Sequence, residues 1–119
     1  MKAAFTVKGN DLDADVDPRF GRAANFLIID TETGIYEIVS NQQNLNLDSG
    51  AGIQSAESIV RHKADVVLTG HCGPNAFRTL TAAGVKLVVG VEGSVRQALE
   101  KFKNGEYQYA QTADVEGHW

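Results

Sequence analysis

From residue 53 onward the chain alternates between apolar stripes at helical spacing and short apolar runs. Ile53, Ala56, Ile59 and Val60 share one helical face; Ala76, Phe77, Leu80 and Ala83 share a second; Val95, Ala98, Leu99 and Phe102 make a third. Between them lie residues 65–68 and 85–89, too short for helices and apolar but for Asp65 and Lys86, which read as strands. Helices alternating with strands in this part of the chain point to a sheet covered by helices. The punctuation agrees. Pro74 stands in a first helical turn, where a missing N–H costs nothing. Gly84 and Gly105 follow the second and third helices as caps, and Ser94 with Gln97 forms a capping box.

Three more runs, 3–7, 26–30 and 35–39, read as strands in the first third of the chain. The link Thr31-Glu32-Thr33-Gly34 is short and ends in glycine, so the strands either side of it should form an antiparallel hairpin. Residues 11–22 form a polar loop, and residues 40–51, rich in Asn, Gln and Gly, form a second long one. The expectation is a single α/β domain over residues 1–105, with a mixed five-stranded sheet flanked by helices, and a tail, 106–119, without clear periodicity.

A chain of 119 residues with 43% hydrophobic and 22% charged residues suits one core and one domain. Its formal charge of -4 argues against nucleic acid or an anionic membrane as partner, and any bound anion needs local positive charge. A single cysteine excludes an internal disulfide and a zinc knuckle built by this chain alone. The apolar N-terminal run stops at Gly9-Asn10, too short for a signal sequence or a membrane span, so the expected location is cytoplasmic.

Two loops carry the chemistry. In Gly70-His71-Cys72-Gly73-Pro74-Asn75, a soft thiol and an imidazole sit where a strand ends and a helix begins, a place that suits a metal, a sulfide-rich ligand or an oxyanion. The plain alternative is a cysteine packed under the loop. In Asp17-Pro18-Arg19-Phe20-Gly21-Arg22, a turn presents two guanidinium groups close together, suited to an anion or to neutralising nearby aspartates. The run Asp11 to Asp17 opens like a calcium loop but has Val16 where glycine is needed and Arg22 where glutamate is needed, so it reads as a solvated acidic loop. His71-Cys72 followed at five residues' distance by Arg78-Thr79 matches the loop of cysteine-dependent phosphatases. Against that, Pro74 removes an amide from the phosphate cradle, and the helical stripe is already in phase at Ala76. No dinucleotide or Walker glycine pattern occurs.

Val16-Asp17-Pro18-Arg19-Phe20-Gly21-Arg22-Ala23, then Gly50-Ala51-Gly52-Ile53-Gln54, then Gly70-x-x-Gly73-Pro74-Asn75-Ala76-Phe77 together resemble the dinitrogenase iron–molybdenum cofactor biosynthesis family. The resemblance runs from Met1 to about Gly105 and implies a ribonuclease-H-like fold without nuclease activity. It implies non-enzymatic binding, carrying or assembly of an anionic metal–sulfur cluster, with a protein partner for delivery. The cargo it implies first is a molybdenum–copper sulfide cluster held without cysteine ligation; the alternative is the iron–molybdenum cofactor or its precursor. On this reading Arg19 and Arg22 supply charge and the Gly70–Gly73 backbone supplies N–H donors. His71 and Cys72 line the opening, Asn75 donates through its amide, and Gly50-Ala51-Gly52 forms a third wall.

Overall fold

The computed structural model describes residues 1–44, 47 and 50–114. Parts of the expected 40–51 loop (45, 46, 48 and 49) and the last five residues of the expected tail lie outside the described residues. Among the described residues the strands are β1 (Lys2–Val7), β2 (Asn25–Asp30), β3 (Tyr36–Ser40), β4 (Val66–Leu68) and β5 (Lys86–Val88). The helices are α1 (Ala51–Arg61), α2 (Pro74–Ala82) and α3 (Val95–Lys103), with a short 3-10 turn at Gln42–Asn44.

The five strands form one mixed sheet in the order β3-β2-β1-β4-β5. β2 runs antiparallel to both β1 and β3, while β1, β4 and β5 pair in parallel. This is the single α/β domain that the alternation of runs and stripes predicts, with the hairpin where Gly34 places it, at φ +77°. Successive residues of β1 divide between two cores. Ala4 faces α1 and α2, packing with Phe26, Ile28, Ile59, Val67 and Leu80. Ala3, Phe5 and Val7 face α3 on the other side, with Leu27, Leu68, Val88, Val95 and Ala98. A sheet covered on both faces explains why its strands read as continuous apolar runs.

The local signals at helix ends behave as read. Pro74 opens α2, and the Ser94 hydroxyl accepts from the Gln97 N–H while Gln97 reaches back to Ser94. The tail is more ordered than its sequence suggests. Tyr107 packs against the α3-side core, Ala110 against the other, and the Ala110 N–H donates to the Leu87 carbonyl at 2.7 Å. No helix among the described residues is long and apolar enough to cross a membrane.

Candidate functional site

Because β1 and β4 are parallel neighbours, Val7 and Leu68 end on the same side of the sheet, and the loops leaving them meet there. The buried Thr6 hydroxyl donates to the Asp17 carbonyl at 2.7 Å and is hydrogen-bonded to the Thr69 hydroxyl at 2.8 Å. The Asp17 N–H returns to the Thr6 carbonyl at 2.8 Å. One step further out, His71 N–H donates to the Pro18 carbonyl (2.7 Å) and Phe20 N–H to the His71 carbonyl (3.1 Å). Gly70 permits this closure: a Cβ there would lie 2.6 Å from the Pro18 Cα.

Gly21 does the same for the third segment. A Cβ on it would fall 2.9 Å from the Gly52 nitrogen, so the arginine loop rests directly on the first turn of α1. A Cβ at Gly52 would in turn meet the Ala76 Cβ at an ordinary 3.4 Å, so the first turns of α1 and α2 lie side by side. A buried polar network holds the arrangement. Asn41 Nδ2 donates to the carbonyls of Ala23 (2.8 Å) and Gly21 (3.3 Å), and Asn41 Oδ1 accepts from Ser55 (3.1 Å) and Asn44 (2.8 Å). The Asn-rich stretch after β3 is therefore in part a brace for the arginine loop.

The result is a rim where α1 and α2 begin. Their N-cap residues, Gly50 and Gly73, make no side-chain cap bond, so the positive ends of both helices are left to the rim. Arg19 is exposed, and its side chain has no hydrogen-bond or ion-pair partner among the described residues. Its N–H donates to Oδ1 of the buried Asp17 at 3.0 Å, which fixes the turn. Arg22 is half-buried and donates through Nη1 to the Leu47 carbonyl at 2.8 Å. Asn75 is exposed, its Oδ1 accepting from the Arg78 guanidinium one turn along α2.

Cys72 is placed differently from the expectation that it lines the opening. Its side chain is fully buried in the α1–α2 core, its Sγ 3.6 Å from the Gly73 carbonyl. Burial, and then the nearby Asp114 carboxylate, push the thiol up to about 12. What the loop turns outward at this position is the Cys72 backbone N–H, which donates to Asp114 Oδ1 at 2.8 Å. The other oxygen of Asp114 stands 2.9 Å from His71 Nδ1. Nor are the Gly70–Gly73 amides all open to a ligand, since the His71 N–H is committed to Pro18. Asp17 is legible only as a member of the arginine-loop motif, without its role in the turn, and Asn41, Ser55 and Asp114 are not singled out by the sequence. Only the Asn-rich composition hinted at Asn41, and nothing local marked Asp114. Among the described residues no three His, Cys, Asp or Glu side chains stand together as a ligand set for a metal ion.

These features define a class, a small α/β domain with a positively polarised rim at the carboxyl ends of its parallel strands. A profile of the family "Dinitrogenase iron-molybdenum cofactor" matches residues 1–105, and the chain belongs to that family. It is similar to the orange protein of Desulfovibrio gigas, whose apo form is 42% identical, with a TM-score of 0.94 over 96% of each chain. It also resembles a Thermotoga protein solved by NMR (35% identity, TM-score 0.83, 98% of each chain). An uncharacterized protein of Methanocaldococcus jannaschii is 25% identical over 111 residues, 91% of this chain and 90% of that one.

Proposed function

We propose that this protein binds and carries an anionic metal–sulfur cluster without catalysing a reaction. The cargo that best suits the rim is a molybdenum–copper sulfide cluster, held by charge and hydrogen bonds and not by Cys72. The observation that carries the reading is the convergence of the Arg19–Arg22 loop with two helix starts that lack side-chain caps, assembled through Gly21, Gly52 and Gly70. A sulfide-faced polyanion brings its own metal ligands, so it needs cationic and N–H donors around it more than a cage of protein thiolates. Family membership and the likeness to the orange protein support the same cargo class. Arg19 and Arg22 supply charge, the first turns of α1 and α2 supply polarised N–H groups, and His71 and Asn75 stand on the rim. Delivery to a protein partner belongs to this reading.

The phosphatase reading has the local chemistry against it. A nucleophilic cysteine needs an accessible thiol of lowered pKa, whereas Cys72 is buried with its thiol pushed up to about 12. Two amides of the loop, those of His71 and Cys72, are engaged with Pro18 and Asp114, and Arg78 is bonded to Asn75.

Anaerobic titration of the apo-protein with tetrathiomolybdate and copper tests the proposal. The expected result is a charge-transfer spectrum that survives desalting, with molybdenum and copper in fixed ratio. A protein that leaves the column colourless overturns the molybdenum–copper assignment, and the iron–molybdenum cofactor or its precursor becomes the cargo to try.

A further inference from the structure

After α3 the chain turns back along the outer strand β5 and ends its described course at the candidate rim. Tyr107 is seated against the α3-side core, and the Ala110 N–H is bonded to Leu87. Between and beyond these anchors the tail is lightly held. Gln108, Tyr109, Gln111 and Thr112 are exposed, and a cleft of about 360 Å³, lined in part by Phe77, Thr81 and Lys86, remains between tail, α2 and β5. At its far end Asp114 presents both carboxylate oxygens to the α2 loop, one to the Cys72 N–H and one to the His71 ring. A carboxylate only accepts, so the Nδ1 of His71 carries the proton. An internal carboxylate thus occupies two outward-facing donors next to the helix start that the proposed cargo would use.

We propose that residues 108–114 form an autoinhibitory strap, in which Asp114 stands in for the anionic cargo and must leave before that cargo can seat. This rests on the carrier reading above. Two effects act together. Asp114 takes hydrogen-bond donors that an anion needs, and its own negative charge repels a polyanion arriving beside it. The strap can open cheaply because, among the described residues, only one backbone bond, the packing of the small Ala110 side chain and one carboxylate hold it beyond Tyr107, and opening breaks no strand pair within the sheet. Closed, it occupies the His71 ring and the Cys72 N–H and covers the backbone above the buried thiol.

The test compares the full-length protein with Asp114→Ala and Asp114→Asn, using tetrathiomolybdate with cuprous ion as probe and following retention and binding rates by visible absorbance. Only the strap-open state binds, so Asp114→Ala should associate about tenfold faster with little change in dissociation. Asp114→Asn, which keeps the shape and loses the charge, should fall between it and the natural protein. In NMR spectra of the natural protein, loading should move the Ala110 and Cys72 amide signals toward their positions in free Asp114→Ala. Equal affinity in all three proteins overturns the strap and leaves the carrier reading standing. Weaker binding by Asp114→Ala also overturns it, because Asp114 would then help to hold the cargo. If none of the three proteins retains the probe, the carrier reading fails and the strap fails with it.

Discussion

Cys72 divides its two polar groups between core and surface, and that division governs what the residue can do. Its thiol is buried in the core that α1 and α2 cover while its N–H donates to Asp114. Alkylation of the native protein by iodoacetamide should therefore be far slower than alkylation of the unfolded chain. The pH dependence has a definite sign. The folded thiol is raised to about 12 from 9.0, so its contribution is fully present below the unfolded value and is lost as pH climbs toward the folded one. Urea midpoints should fall across that alkaline window, and Cys72→Ala should flatten the fall; an unchanged alkaline slope in the variant would show that the thiol is not the group responsible. The arginines should separate by partner. Arg19→Ala should weaken cluster retention while changing stability by no more than about 0.5 kcal/mol, as for an exposed side chain. Arg22→Ala should weaken retention and also cost about 1–2 kcal/mol, because the Leu47 carbonyl loses a charged donor. Unchanged retention in the Arg19→Ala, Arg22→Ala double variant would remove both from the site.

Between elements, glycine sets how closely the loops can approach. Gly21→Ala would drive a methyl into the backbone of Gly52, which has little freedom to retreat at the start of a helix. Thermal or urea unfolding should show a loss of about 1–3 kcal/mol, the usual range for overpacking. Gly52→Ala meets Ala76 at an ordinary distance and gains helix propensity, so it should be neutral or stabilise by up to about 1 kcal/mol. If the two variants behave alike, the close approach of arginine loop and α1 is not what these glycines serve. The same contrast marks what can be read from the chain. The hairpin at Gly34, the start of α2 at Pro74 and the Ser94–Gln97 box are legible because each is a rule about residues within a few positions of one another. Gly70 could be read as a strand end, but its closeness to Pro18 depends on β1 and β4 being neighbours, which is a property of the sheet. The three site motifs were legible as a family pattern; the reason for their glycines appears only when the loops are folded together. Cys72 was open to either a buried or an exposed reading for the same cause, since the side of the loop it faces is decided by how the loop packs onto the α1–α2 core.

At the scale of the whole molecule the tail ties the far edge of the sheet to the rim, a link of 42 residues between Cys72 and Asp114 that no periodicity could announce. Among the described residues the five strands and three helices all lie within Lys2–Lys103, so a chain ending at Gly105 should still fold. It would lose the packing of Tyr107 and Ala110 and the bond to Leu87, together about 2–3 kcal/mol from one half-buried aromatic, one small apolar contact and one hydrogen bond. A chain ending at Gln111 keeps all three and lacks only the segment that reaches the rim. Thermal melts should therefore order the proteins with the full chain and the Gln111 form close together and the Gly105 form lower. If the Gly105 form melts with the full chain, Tyr107 and Ala110 add nothing to stability. If the Gln111 form melts with the Gly105 form, the Asp114 contact itself is a main structural tie, and releasing it would cost too much for the tail to open and close over the rim.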